Sequence, residues 1–531
     1  MNLHTIGHRR GVVCAPHAAT VEDGRAILAE GGNAIEAMIA MAASIAAVYP
    51  HMNHIGGDGF WLIREPNGRV RALMGAGRAG AKATPRFYRD AGFDEIPSRG
   101  PFAALTVPGA VAAWMLAADA ARAQGGRLPL DLLLAPAIKH AREGYTVTRS
   151  QARLTVEKYA ELETAPGFIQ AFLADGKPPE VGARLKQSAL AATLDQLAHA
   201  GLDDFYRGDV GHEIAADLER IGSPVTRADL EQYRAVVETA LSVSTQAGTI
   251  FNAPPPTQGL ASLIILGIFE RLRVAKAESF EHIHGIVEAT KRAFRVRDRV
   301  ITDPDLMTDS LDRYLSSAFF DGEVARIDAR KAARWPAPRG EGDTIWMGAA
   351  DASGLVVSYI QSIYWEFGSG CVLPATGILM QNRGASFSLD PKALNALAPG
   401  RRPFHTLNPA LAALKDGRVM AFGTMGGDGQ PQTQAALFTR HVLFGQPLDR
   451  AIEAPRWLLG RTWGSTHTNL RMERRFDGGL IDRLMSAGHD VAVLAEDYSD
   501  TMGHAGAVLL HADGTLEGAH DPRADGGAAG V

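Results

Sequence analysis

Residues 340–362, GEGDTIWMGAADASGLVVSYIQS, place a hydroxyl residue, Thr344, between a Pro/Gly/Arg-rich stretch and a strand-like run. A threonine at a strand start is ordinary by itself; its neighbours make it chemical. The preceding segment ARKAARWPAPRGEGD (329–343) carries two prolines, two glycines and four basic residues, the composition of an exposed linker open to cutting. A cut between Asp343 and Thr344 frees an α-amine. Its reference pKa of about 7.7–8.0 suits it to act as general base for the hydroxyl of the same residue. An N-terminal threonine is one of the convergent nucleophile–base pairs. Ser362, 18 residues on, falls on the partner strand of the expected hairpin. A glycine-rich loop, Gly423-Thr424-Met425-Gly426-Gly427-Asp428-Gly429, lies between a strand and a helix and has no P-loop lysine. It reads either as a tight turn or as an oxyanion hole, in which consecutive backbone N–H groups face a developing negative charge.

A second glycine stretch, Gly75-Ala76-Gly77-Arg78-Ala79-Gly80, matches G-x-G-x-x-G. A dinucleotide site also needs a helix opening there and an acidic residue about 20 positions on. Glu95 is near that distance, but Pro85 is expected to interrupt the helix, and the preceding strand is half of a hairpin. The nucleotide reading is set aside. Cys14 and Cys371 lack CxxC or Cys/His spacing, so neither a disulfide framework nor a zinc site is expected, and both read as small buried hydrophobes. No metal and no organic cofactor is called for.

These residues need elements to hold them. A helix is expected to open at Thr20-Val21-Glu22-Asp23 and stop at Gly31-Gly32. Asn33 and Glu36 form a capping pattern ahead of an Ala/Ile/Met-rich helix that ends at Pro50. That helix is apolar nearly all round, hence buried. GFWLIREPNGRVRALM reads as two strands about a Pro-Asn-Gly turn. Helices are predicted at about 109–124, 130–143, 187–200, 227–232, 258–274 and 280–299. IWMGAAD and LVVSYIQSI flank Ala352-Ser353-Gly354 as a hairpin. PALAALKDGRVMAFG turns at Lys415-Asp416-Gly417, TQAALFTRHVLFG is helical, and GAVLLHADGTLEGAHDP is a closing strand pair. Helices with several antiparallel hairpins imply a layered α+β architecture rather than a doubly wound parallel sheet.

The 531 residues suffice for a sizeable core. A net charge of −5 gives no electrostatic case for nucleic acid or an anionic membrane. The longest apolar run, Ala34 to Val48, is shorter than the 18 or so residues that span a bilayer. No apolar region follows the basic N-terminus at signal-peptide distance, so a cytoplasmic protein is expected.

Taken end to end, the sequence resembles the γ-glutamyltransferase family of N-terminal-nucleophile hydrolases. The resemblance is carried by ILAEGGNAIEAMIAMAASIAAVYPHMNHIGGDGFWLIR, PAIKHAREGYTV, PPPTQGLASLIILGIFE, EATKRAFRVRDRVITDPD, FGSGCVLPATGILMQN, TMGGDGQPQTQ and EGAHDPRADGGAAG, all in family order. It implies a four-layer αββα sandwich. It also implies one precursor that cuts itself between Asp343 and Thr344. Residues 1–343 would be the large subunit and 344–531 the small one, forming a heterodimer, with a pair of heterodimers left open. Carried over residue by residue, Thr344 is the nucleophile. Ser362 stands where the family has a threonine that hydrogen-bonds it. Gly426 and Gly427 match the oxyanion glycines, and Asn382 keeps a family asparagine.

The departures concern substrate recognition. Tyr364 replaces an asparagine, Arg383 a glutamine, and Ser386 the aspartate that grips the γ-glutamyl α-amine. His405-Thr406 replaces a serine pair. The arginine that clamps the α-carboxylate aligns with Ala76, with Arg78 two residues on. A site built to pair an ammonium group loses much with its aspartate, and the exchange makes the pocket more cationic. The altered set looks more like the family's amidase branch, and implies a small anionic amide such as oxamate. Two alternatives stay open: a γ-glutamyltransferase or glutathione hydrolase, and an unprocessed binding protein.

Overall fold

The computed structural model describes residues 2–335, 343–460 and 468–531. Residues 336–342 of the proposed linker lie outside the described residues, as does the side chain of Asp343.

Among the described residues two seven-stranded sheets lie face to face. One runs in the order 4–8, 516–520, 506–510, 419–423, 410–414, 248–252, 241–244. The other runs 527–530, 11–15, 343–351, 356–364, 58–64, 70–75, 236–239. Both are antiparallel throughout. Both mix strands from before and after residue 343.

Three apolar cores separate four layers. The helices Ala18–Ala29, Ala34–Val48, Ala110–Ala123 and Leu130–Glu143 cover the second sheet. The helices Gly259–Leu272, Phe280–Val300 and Gly429–Phe438 cover the first. Val12, Phe60, Trp346, Ile360, Ala421 and Val508 pack between the sheets. This is the expected αββα sandwich. Side chains alternate across a strand, so in the strand Asp343–Asp351 the residues Ile345, Met347 and Ala349 face the helices, whereas Trp346 and Ala350 face the opposite sheet. Thr344 shares the parity of Trp346 and therefore faces the opposite sheet.

The hairpins and most helices fall where sequence patterning sets them. Asn33 makes the expected capping box with Glu36, and all fifteen residues of Ala34–Val48 are buried. The helix expected at Thr20 begins at Ala18, capped by His17. Pro85 opens a helix rather than interrupting one. It sits at the first position of Pro85–Asp90, where its missing N–H costs nothing, behind a Thr84 cap. Helices Arg149–Leu162 and Asp209–Ile221 and strands between 236 and 252 were not anticipated. Cys14 and Cys371 are buried and unpaired, and burial pushes the Cys371 thiol up to about 12. No described helix is long and apolar enough to cross a membrane.

Candidate active site

Thr344 is fully buried near the start of its strand. In the hairpin, Asp343 pairs with Tyr364 and Ile345 with Gln361. One residue of this strand thus stands opposite two of the other, a bulge that sets Thr344 against Ser362 and Ile363. Ser362 also pairs with Asp58 on the next strand. Thr344, Ser362 and Asp58 form one row across three neighbouring strands, all on the face turned to the other sheet. Ser362 Oγ accepts a hydrogen bond from the Tyr364 N–H (2.8 Å). That bond closes a turn in which Tyr364 adopts φ 83°. A left-handed aromatic residue is a genuine outlier, and such strain gathers at functional sites.

The glycine loop reaches this row from the opposite sheet. Gly348 faces Val508, and the Trp346 indole fills the space a side chain would take at Gly506 and Gly423. The strand at 419–423 is antiparallel to 506–510. Moving from Gly348 through Trp346 to Thr344 therefore leads past Gly423 to Thr424–Gly426. Gly426 and Gly427 have φ 110° and 51°, a region open to glycine. Their carbonyls accept from Gly429 and Gln430 at 2.7 and 3.2 Å. Their own N–H groups precede the first donor of that turn. Gln258 braces the loop: its Nε2 donates to the carbonyls of Gly427 (2.8 Å) and Thr406 (2.7 Å). Buried Arg297 donates to Gln258 Oε1 (2.9 Å) and to Asp428 (2.6 Å).

The pocket wall holds the altered residues. Arg383 is fully buried and lies 3.7 Å over the Tyr364 ring. Among the described residues its two terminal nitrogens have no hydrogen-bond partner. Burial lowers its pKa to about 10, against Tyr364 and Asp58. His405 is buried, edge-on to Phe60 at 4.8 Å, with Nε2 3.2 Å from Asp58 Oδ2 at an angle short of ideal. Burial, then the Arg383 charge, lowers its pKa to about 4. The buried Thr406 hydroxyl has no partner among the described residues. Ser386 bonds the Phe404 carbonyl (3.3 Å) and lines, with Tyr364 and Trp365, a cleft of about 750 Å³.

Two expected residues are engaged elsewhere. Asn382 accepts from the Trp365 N–H (3.0 Å) and donates to the Ser98 carbonyl (2.9 Å), shaping the wall. Arg78 is 39% exposed, pairs with Asp305 at 3.1 Å and bonds the Gly400 carbonyl. Sequence reasoning missed Asp58. It is fully buried, and its Oδ1 accepts from the Gly77 N–H (2.9 Å), the Gly109 N–H (3.0 Å) and Gln381 Nε2 (3.1 Å). The G-x-G-x-x-G stretch thus serves this wall: a side chain at Gly77 would strike the Val107 carbonyl. The only available signal was an acidic residue inside the glycine run GGDG.

Away from this row, His284, Glu288 and His489 bring ligand atoms within 4.8 Å of one another. Their bonds are spoken for. His489 Nε2 and His284 Nδ1 lie 2.8 Å apart, His284 Nε2 donates to the Asp328 carbonyl, and Lys291 donates to Glu288 (2.6 Å). Lys291 and Glu288 also hold the carbonyl and N–H of Ala333. The group clamps the segment that leads towards residue 335.

The family model described as Gamma-glutamyltranspeptidase matches residues 20–531. The chain is 54% identical over 521 residues to the oxamate amidohydrolase proenzyme of Klebsiella pneumoniae, covering 98% of each. It is 39% identical to the glutathione hydrolase-like YwrD proenzyme of Bacillus subtilis, covering 100% of each. A crystal structure of cephalosporin acylase from Bacillus halodurans superposes with a TM-score of 0.91 at 32% identity, covering 99% of this chain and 97% of that one.

Proposed function

The chain belongs to the gamma-glutamyltranspeptidase family, and from that premise we propose that it is a self-processing N-terminal-threonine amidohydrolase acting on a small anionic amide of the oxamate type. One observation carries the substrate class: Arg383, a buried guanidinium whose terminal nitrogens have no partner among the described residues. Such a group calls for a carboxylate, which a guanidinium binds through two parallel hydrogen bonds. The 54% identity to a relative named for oxamate supports the same reading.

Processing comes first. Thr344 Oγ attacks the Asp343 carbonyl carbon, the peptide C–N bond breaks, and the Thr344 nitrogen becomes a free amine. Water hydrolyses the resulting ester, leaving a large and a small fragment. In turnover the Oγ–H proton passes to the α-amine as Oγ bonds the amide carbon. The N–H groups of Gly426 and Gly427 stabilise the tetrahedral oxyanion; losing one such donor typically costs about 10²–10³ in rate. The amine returns the proton to the leaving nitrogen, and water resolves the acyl-enzyme by the reverse route. Ser362 orients the nucleophile across the hairpin.

The test compares intact masses of the wild type and Thr344→Ala, then rates on oxamate and a γ-glutamyl anilide. The wild type should give two fragments, the smaller beginning at Thr344, and the variant one chain with no turnover. A wild type that stays whole lacks the catalytic base, and the reading falls. Faster turnover of the γ-glutamyl compound would move the substrate back to that of the transpeptidases.

A further inference from the structure

We propose that Asp58 is a positioning residue that holds His405 as a hydrogen-bond acceptor beside the Arg383 guanidinium, so that the pocket selects substrates carrying a carboxylate next to an amide N–H. This rests on the amidohydrolase reading above and specifies what that pocket discriminates.

The argument follows the protons. Asp58 Oδ1 accepts three N–H groups, and Oδ2, which has no other partner among the described residues, lies 3.2 Å from His405 Nε2, close to but off the angle of a full hydrogen bond. A carboxylate only accepts, so the proton of the neutral imidazole belongs on Nε2. His405 is neutral at pH 7, because burial and then Arg383 disfavour its charged form. Nδ1 is then a lone-pair acceptor. It is buried and has no partner among the described residues. Arg383 offers the complement, buried donors likewise unpartnered. Asp58 lowers the energy of the Arg383 cation and of the His405 imidazolium alike, so the two groups share one electrostatic neighbourhood. Buried donors and a buried acceptor without partners are costly until a ligand completes them. The completing ligand presents a carboxylate to Arg383 and an N–H to Nδ1. A short primary amide of a dicarboxylic half-acid offers both in one planar frame. The matching half-ester keeps the carboxylate and lacks the N–H.

Asp58→Asn separates the roles. The three N–H groups hold the new carbonyl oxygen in the Oδ1 position, which leaves Nδ2 facing His405. Nδ2 donates, the imidazole proton moves to Nδ1, and the acceptor becomes a donor. Self-cleavage at Thr344 should persist. Turnover of oxamate should fall by about 10–100-fold in kcat/KM, the range for losing a hydrogen bond in a buried site. Turnover of monomethyl oxalate, which shares the carboxylate but lacks the N–H, should fall by a clearly smaller factor than that of oxamate. His405→Phe, which keeps a ring beside Phe60, should reproduce this selective loss and serves if Asp58→Asn folds poorly. Equal losses on amide and ester, or none, overturn the inference and leave the amidohydrolase reading standing. A processed wild type that hydrolyses neither compound overturns both.

Discussion

Two buried arginines, Arg383 and Arg523, show how one side chain serves opposite ends. Arg523 has every arm engaged: Nε and Nη2 donate to Glu473 at 2.7 and 2.6 Å, and Nη1 to Asp521 at 2.9 Å. Against the cost of burial, Asp521 and Glu473 raise its pKa. Arg383 has a ring beneath it and, among the described residues, no partner for its terminal nitrogens, and burial lowers its pKa. A guanidinium with all its donors answered is a brace. One left unanswered in the interior is stable only because the fold around it is, and on the proposed function an anion would complete it.

That contrast is open to attack. The largest effect is expected at the brace. Arg523→Met leaves the carboxylates of Glu473 and Asp521 short of a counter-charge and should lower unfolding stability by about 3–5 kcal/mol, read by denaturant titration, with turnover per folded molecule unchanged. At the pocket the signs reverse. Arg383→Met removes a buried charge but keeps bulk over Tyr364, so stability should hold or rise while kcat/KM for an anionic amide falls by about 2–4 kcal/mol. Self-cleavage, observed by mass, should survive. If Arg383→Met destabilises as much as Arg523→Met, the distinction is wrong.

The smallest effect per step comes with pH. His405 and His520 sit in the two regions, both with pKa lowered to about 4, in each case chiefly by burial. The folded state then binds fewer protons than the unfolded state below about pH 6.5. Each imidazole therefore contributes stability that is complete above that pH and is lost towards pH 4, by up to about 1.4 kcal/mol per pH unit. His520→Gln should flatten this acid limb without touching turnover, whereas His405→Gln should alter both. Thermal melts from pH 4 to 7 measure the limb.

Much of this was legible in sequence because it is local. The hairpin from 343 to 364 announces itself by alternation about Ala352-Ser353-Gly354, and the Asn33/Glu36 cap by spacing alone. The glycine pair at 426–427 was legible as a loop between strand and helix. Asp58 was not, since its meaning lies in Gly77, Gly109, Gln381 and His405, partners between 19 and 347 residues away. Arg78 was drawn to the pocket by its place in the chain, yet Asp305, 227 residues on, engages it. The helix Pro85–Asp90 was missed because a proline stops a helix from within but starts one from its first turn.

The interleaving of strands carries a last consequence. Residues 11–15 pair with both 527–530 and 343–351, and Val531 exchanges backbone hydrogen bonds with Arg10 and Gly11. The second strand of the chain and its last are thus neighbours in the sheet that carries Thr344. Joining Val531 to the start of the chain by a short loop, and opening the gene at Thr344, would write the same sandwich in a different order. Such a polypeptide would be born with threonine behind its initiator methionine. On the proposed mechanism its turnover would need only the removal of that methionine, and self-cleavage would become a dispensable step.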